Sequence, residues 1–147
     1  WVVALLGVMF VASLVVAGVN FRFGWATLPD WVTWIGVAIF LLSYVLYAEV
    51  MRENAYLSRT IEIQQGQRVI DTGLYSIVRH PMYSATILMF LSIPLILSSI
   101  ISFVIMLVYI PIIAIRIKNE ERILEDGLRG YKEYKQRVKY KIIPFVW

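Results

Sequence analysis

Residues 81–115 carry no charged side chain, a run of 35, and no soluble fold has room to bury such a stretch. Two shorter uncharged runs precede it, residues 1–19 and 31–48, and together the three make up about half of a 147-residue chain whose mean hydropathy is +0.73. A helix crosses roughly 30 Å of hydrocarbon in about 20 residues, so each shorter run is expected to be one transmembrane helix. At about 1.5 Å per residue the 35-residue run would reach roughly 52 Å, too far for one crossing. Leu97-Ser98-Ser99 interrupts it near the middle. The expected arrangement is a helical hairpin with arms 82–97 and 100–117, kinked at Pro94 and Pro111. The fold class is therefore all-α: a polytopic membrane bundle of about four transmembrane helices with a helical C-terminal tail. With Trp1 in place of an initiator methionine, a further upstream segment is expected.

Charge sets the expected orientation. Fourteen Lys and Arg against ten Asp and Glu give +4, and of the basic residues only Arg22 lies between the first two spans. The other thirteen fall at 52–79 and 116–141, which the positive-inside rule assigns to the cytoplasm. Basic charge beside apolar spans points to membrane phosphates rather than to a nucleic acid. Without cysteine, and with one histidine, thiolate chemistry and cysteine or multi-histidine metal sites are excluded. The chemistry left to the chain belongs to Arg, Glu, Tyr and His80.

Two polar clusters stand out. The loop from Ile61 ends in Arg79-His80-Pro81 at the mouth of the third span. Proline suits a helix's first turn and pushes the preceding residue out of helical conformation, so His80 is expected on a corner at the membrane surface. By itself the tripeptide serves equally as an interface anchor. The second cluster is Arg116, Glu120 and Glu121, with Arg116 and Glu120 one helical turn apart. As an isolated feature it reads as an interfacial ion pair; on the same side as His80, it makes a shared pocket possible. Glu49, Arg52 and Glu53 read as snorkelling charges, Gly7, Gly18 and Gly36 as packing residues, and the tryptophans as interface anchors. Beyond Lys118 the spacing of Leu124, Leu128, Tyr131 and Tyr134 suits a helix broken or bent at Gly127 and Gly130. An apolar, aromatic terminus at 142–147 could dock on the bundle or sit among headgroups.

The stretch Gly73-Leu74-Tyr75-Ser76-Ile77-Val78-Arg79-His80-Pro81-Met82-Tyr83, the hairpin, Arg116 four before Glu120-Glu121, and Gly130-Tyr131-Lys132-Glu133-Tyr134 together resemble the isoprenylcysteine carboxyl methyltransferase family over roughly residues 61–144. The resemblance implies an integral membrane methyltransferase using S-adenosylmethionine without a Rossmann fold. It implies one domain over 1–147, with transmembrane helices to residue 60 and the cofactor-binding catalytic part from 61, its active site facing the cytoplasm. By matching positions it implies that Gln64, Gln67, Arg68, Val69, Ile70, Tyr75, His80, Pro81, Met82, Tyr83 and Glu120 hold the cofactor. Arg116 matches the residue for the substrate carboxylate, and Arg116 and Glu121 are the expected catalytic pair. The acceptor implied is a prenylated cysteine carboxylate, without metal or nucleic acid. The alternatives are methylation of a phospholipid amine or another small lipophilic acceptor, with Glu121 or His80 as base, and a non-catalytic membrane anchor or scaffold. Ala85 replaces a glycine common after the motif tyrosine, and the stretch between Glu121 and Tyr131 is one residue shorter than the family pattern.

Overall fold

A computed structural model describes residues 2–54, 56 and 63–147. The division expected at 60/61 lies outside the described residues. Among the described residues there are six α-helices and no strand: α1 (Val2–Phe23), α2 (Asp30–Glu53), α3 (Pro81–Ile96), α4 (Ile100–Leu107), α5 (Tyr109–Gly127) and α6 (Tyr131–Arg137), with a 3-10 turn at Gly73–Ser76. Three helical stretches are long and apolar enough to cross a membrane, Ala4–Phe23, Asp30–Glu53 and Ile100–Gly127, and the chain is an integral membrane protein. The fourth expected span, α3, has 16 residues and reaches only about 24 Å.

The effects of the two hairpin prolines differ. α3 runs through Pro94 to Ile96. Pro111 lacks the N–H that would bond the Leu107 carbonyl and its ring crowds that oxygen, so the second arm breaks at Val108 and resumes as α5. The arm continues past the expected end at Ile117 as one helix to Gly127. The break expected at Gly127 and Gly130 is present: Gly130 takes φ 87°, a left-handed conformation open to glycine at little cost, and starts α6.

The described chain forms two compact units, residues 1–44 with 86–112, and residues 45–85 with 113–147. In the first, the hairpin arms meet where Phe90 packs edge-on against Tyr109 at 5.1 Å and the Tyr109 hydroxyl donates to Thr86 Oγ1 at 3.2 Å. Polar side chains in this apolar unit are paired, as burial demands. Ser13 and Ser102 hydroxyls lie 2.5 Å apart, and Ser102 also donates to the Ser13 carbonyl. Ser98, in the hairpin turn, both accepts from Leu28 N–H and donates to its carbonyl. Outward side chains such as Val8, Val11 and Val15 are exposed, as a lipid-facing surface requires. Of the three glycines read as packing residues, only Gly36 is so used: a methyl there would press on Leu95 and Ile96, whereas Gly7 and Gly18 have open space.

The second unit holds the end of α2, the loop, the first turn of α3, the last part of α5, and α6. Its apolar core is Leu128, Tyr131, Tyr134 and Val138, with Ile63, Val69 and Leu124 packed against it. After α6 the chain runs extended across the Arg79-His80 corner, where Arg79 N–H donates to the Tyr140 carbonyl at 2.9 Å and His80 N–H to that of Lys141 at 2.8 Å. Ser84 Oγ donates to the Ile142 carbonyl at 2.6 Å. Ile142 is buried by this docking while Phe145 and Val146 remain exposed.

Candidate functional site

Pro81 opens α3, as its fixed φ favours, and leaves His80 at the corner with its carbonyl accepting from Tyr83 and Ser84 N–H. Two residues into the helix, the Tyr83 hydroxyl donates to Glu120 Oε2 at 2.6 Å and accepts from Arg116 Nε at 2.8 Å. Arg116 and Glu120, one turn apart on α5, are thus tied to α3 through one phenol. On the other side of Glu120, His80 Nδ1 lies 4.0 Å from Oε1.

Around this trio the second unit opens a small cleft of about 100 Å³. Its lining includes the charged side chains of Arg68, Arg79, His80, Arg116 and Glu120, with Met82 and Tyr83 from the start of α3. The irregular segment Gln67, Arg68, Val69 and Ile70 also lines it, with Tyr75. Ile123, Leu124, Leu128, Tyr131 and Tyr134 add apolar and aromatic surface. Tyr131 is 4% exposed, and its hydroxyl is buried with no hydrogen-bond partner among the described residues.

Ten of the thirteen residues singled out from the sequence line this cleft, and Gln64, Pro81 and Glu121 do not. Gln64 shapes the turn beneath it: its N–H donates to Gln67 Oε1 at 2.9 Å and its carbonyl accepts from Gln67 N–H at 3.0 Å. Pro81 acts through the backbone of the corner. Glu121, expected beside Arg116 as a catalytic residue, points away from the cleft wall into a nest of cations. Oε1 accepts from Arg79 Nε at 2.8 Å and faces His80 Nε2 at 3.3 Å, and Oε2 lies 3.7 Å from both Lys135 and Lys141. Arg79 Nη1 in turn donates to the carbonyls of Val138 and Lys139. The ion pair therefore fastens the C-terminal segment behind His80.

Other contributors were not legible. Asn54 Nδ2 donates to the Tyr75 hydroxyl at 2.8 Å, and both line the cleft. Glu53, read as a snorkelling charge, accepts from Leu74 N–H at 3.0 Å and so fixes the turn that presents Tyr75. Glu49 and Arg52, also read as snorkelling charges, form an exposed ion pair. Burial pushes Tyr75 up to about 12 despite the Asn54 hydrogen bond, and raises Tyr131 and Tyr134 as well, so all three enter neutral. Tyr134 spends its proton on the Tyr75 carbonyl at 2.7 Å. No group of His, Asp and Glu among the described residues is arranged to hold a metal ion.

Known proteins share this architecture. A solved structure of the eukaryotic intramembrane Ras methyltransferase, isoprenylcysteine carboxyl methyltransferase, matches 97% of this chain and 53% of its own with a TM-score of 0.79 at 22% identity, a likeness of fold. The Delta(14)-sterol reductase of Mus musculus is 32% identical over 91 residues, 60% of this chain and 22% of that protein. The chain thus spans about half of one relative and about a fifth of the other. The profile of the phospholipid methyltransferase family matches residues 31–129. That range runs from α2 through α5 and takes in both the Arg79-His80 corner and the helix bearing Arg116 and Glu120, so this chain belongs to the phospholipid methyltransferase family.

Proposed function

We propose that the protein is an S-adenosylmethionine-dependent methyltransferase whose acceptor is the carboxylate of a prenylated cysteine. The reading is carried by one observation: Arg116 and Glu120 reach the same cleft, cross-linked by the Tyr83 hydroxyl. The cofactor's needs are a partner for its carboxylate, one for its ammonium, acceptors for ribose hydroxyls and an apolar slot for adenine. The cleft offers Arg and His donors, the Glu120 carboxylate and apolar and aromatic side chains, so the residues fit. Gln67 to Ile70, Tyr75, His80, Met82, Tyr83 and Glu120 are the residues that would hold it, on a face of the protein assigned here to the cytoplasm.

When bound, S-adenosylmethionine supplies a methyl group on a sulfonium, open to in-line displacement. A carboxylate is ionised at neutral pH, so no residue has to remove a proton, and the protein's part is positioning and exclusion of water. Arg116 orients the acceptor carboxylate through its planar fork, and Tyr83 holds that guanidinium by Nε. Glu121 keeps Arg79 and His80 in place from behind.

The family profile favours a second acceptor, the amine of a phospholipid. An amine must first lose its proton, and His80, with Glu120 at 4.0 Å, is the base in that reading. The test is transfer of labelled methyl from S-adenosylmethionine to farnesylated cysteine, a phospholipid amine and a short-chain thiol, with Delta(14)-sterol reduction measured in parallel. Label in the farnesylated cysteine is the expected result. Label only in the phospholipid selects the second reading, and sterol reduction without methyl transfer overturns both.

A further inference from the structure

The two most exposed large apolar side chains among the described residues of the second unit are adjacent, Phe145 at 87% and Val146 at 75%, and Ile143 at 50% stands just before them. They are held outward by a closed turn. The N–H groups of Ile142 and Ile143 donate to the Trp147 carbonyl at 2.9 and 3.0 Å, and those of Val146 and Trp147 to the Ile143 carbonyl at 3.2 and 3.1 Å. Within that turn Phe145 takes φ 65°, a left-handed conformation that a residue with a side chain adopts only at a cost. Its ring meets Tyr140 at 5.3 Å on one side and is otherwise bare. Contiguous apolar groups kept at a surface in this way mark a contact with something outside the fold.

The turn's place in the fold says what that is. Arg116 is the first charged residue after the uncharged run, and its Nε meets the Tyr83 hydroxyl, two residues into α3, at 2.8 Å. The two helices therefore reach the polar boundary of the membrane at one level. Ser84, the next residue of α3, donates to the Ile142 carbonyl at 2.6 Å, which seats the turn beside that boundary and not out in water. Its backbone suits an apolar surrounding, because Pro144 has no N–H and those of Ile142, Ile143, Val146 and Trp147 are bonded inside the turn. Its flanks suit a headgroup layer. Lys139 is exposed, and the Lys141 ammonium, which also faces Glu121, lies 4.8 Å from the centre of the Trp147 ring. Aromatic and apolar side chains beside lysines are what holds a segment at a membrane surface, with the rings toward the acyl chains and the cations at the phosphates.

We infer that residues 143–146 form a wedge that enters the phospholipid bilayer at the headgroup–acyl boundary, with Phe145 and Val146 among the acyl chains and Lys139 at the lipid phosphates. Surface-bound amphipathic elements reach a depth of about 5–10 Å, which a single turn can span. The chain has no cysteine, so Phe145→Cys, Val146→Cys and, as an exposed reference on α6, Gln136→Cys can each carry one bimane fluorophore. The labelled full chains are placed in nanodiscs of phosphatidylcholine and phosphatidylglycerol, with and without phosphatidylcholine bearing a nitroxide at the top of its acyl chain, and iodide is the quencher from water. The fluorophores at 145 and 146 are expected to be quenched by the nitroxide lipid and shielded severalfold from iodide relative to the one at 136. Iodide quenching at 145 and 146 as strong as at 136, with no effect of the nitroxide, puts the turn in water and overturns the inference. Shielding from both quenchers means that protein covers the turn, whether a second copy or another polypeptide segment, and overturns it as well.

Discussion

Arg79 Nε donates to Glu121 Oε1 at 2.8 Å with both side chains almost sealed from solvent, 4% and 6% exposed. The two lie 42 residues apart and join the loop corner to α5. Breaking a buried pair by removing one partner leaves the other charge uncompensated and costs about 3–5 kcal/mol. Glu121→Gln is therefore expected to lower the melting temperature in detergent by many degrees, with turnover falling along with the folded fraction. A general base at this position predicts the opposite split, lost turnover at an unchanged melting temperature.

Arg116 offers a cleaner separation of charge from shape. Lysine keeps the charge but has no Nε–H for Tyr83 and no planar fork for a carboxylate. In Arg116→Lys the rate should fall by roughly thirty- to a thousandfold, corresponding to about 2–4 kcal/mol of transition-state contact. Affinity for S-adenosylhomocysteine should hold. Near-normal turnover in Arg116→Ala would contradict the role assigned to this residue.

Gly73 sits at φ 50°, and a methyl group there would run into the Glu53 carboxylate that accepts from Leu74 N–H. Gly73→Ala then pays about 1–2 kcal/mol for the left-handed backbone and also displaces the anchor of the Tyr75 turn. Thermal melting should show the loss, and binding of S-adenosylhomocysteine should weaken because Tyr75 lines the cleft.

Alkaline stability follows from Tyr75. Its pKa rises from 10.0 to about 12 in the folded protein because burial opposes the phenolate. The unfolded chain releases this proton first, so stability is complete below about pH 10 and declines as pH rises toward 12, by about 2–3 kcal/mol from this group. Tyr131 and Tyr134, also raised by burial, steepen the decline. Denaturant unfolding at pH 8 and at pH 11 should differ less in Tyr75→Phe than in the wild-type protein.

What the sequence discloses is local. Pro81 after Arg79-His80 marks the corner, the uncharged run and Ser98-Ser99 mark the hairpin, and Gly127 and Gly130 mark the bend before α6. Each rests on a residue acting on its own backbone. The break at Val108 was displaced from Pro111 because the proline acts on the carbonyl four residues back. Glu53, Asn54, Arg79 and Glu121 take their roles from distant partners, such as Leu74 for Glu53 and Glu121 for Arg79, which no spacing rule encodes. Glu120 and Glu121 are adjacent and alike in sequence, but on a helix they face directions about 100° apart, one into the cleft and one into the cations behind it.

The claim that this cleft holds S-adenosylmethionine is tested most directly by calorimetric binding of S-adenosylhomocysteine to the wild-type protein, Glu120→Ala and His80→Ala, each first checked for its melting temperature. The wild-type protein should bind, and both variants should bind at least tenfold more weakly while remaining folded. Unchanged affinity in both folded variants, or no binding by the wild-type protein, would contradict the account.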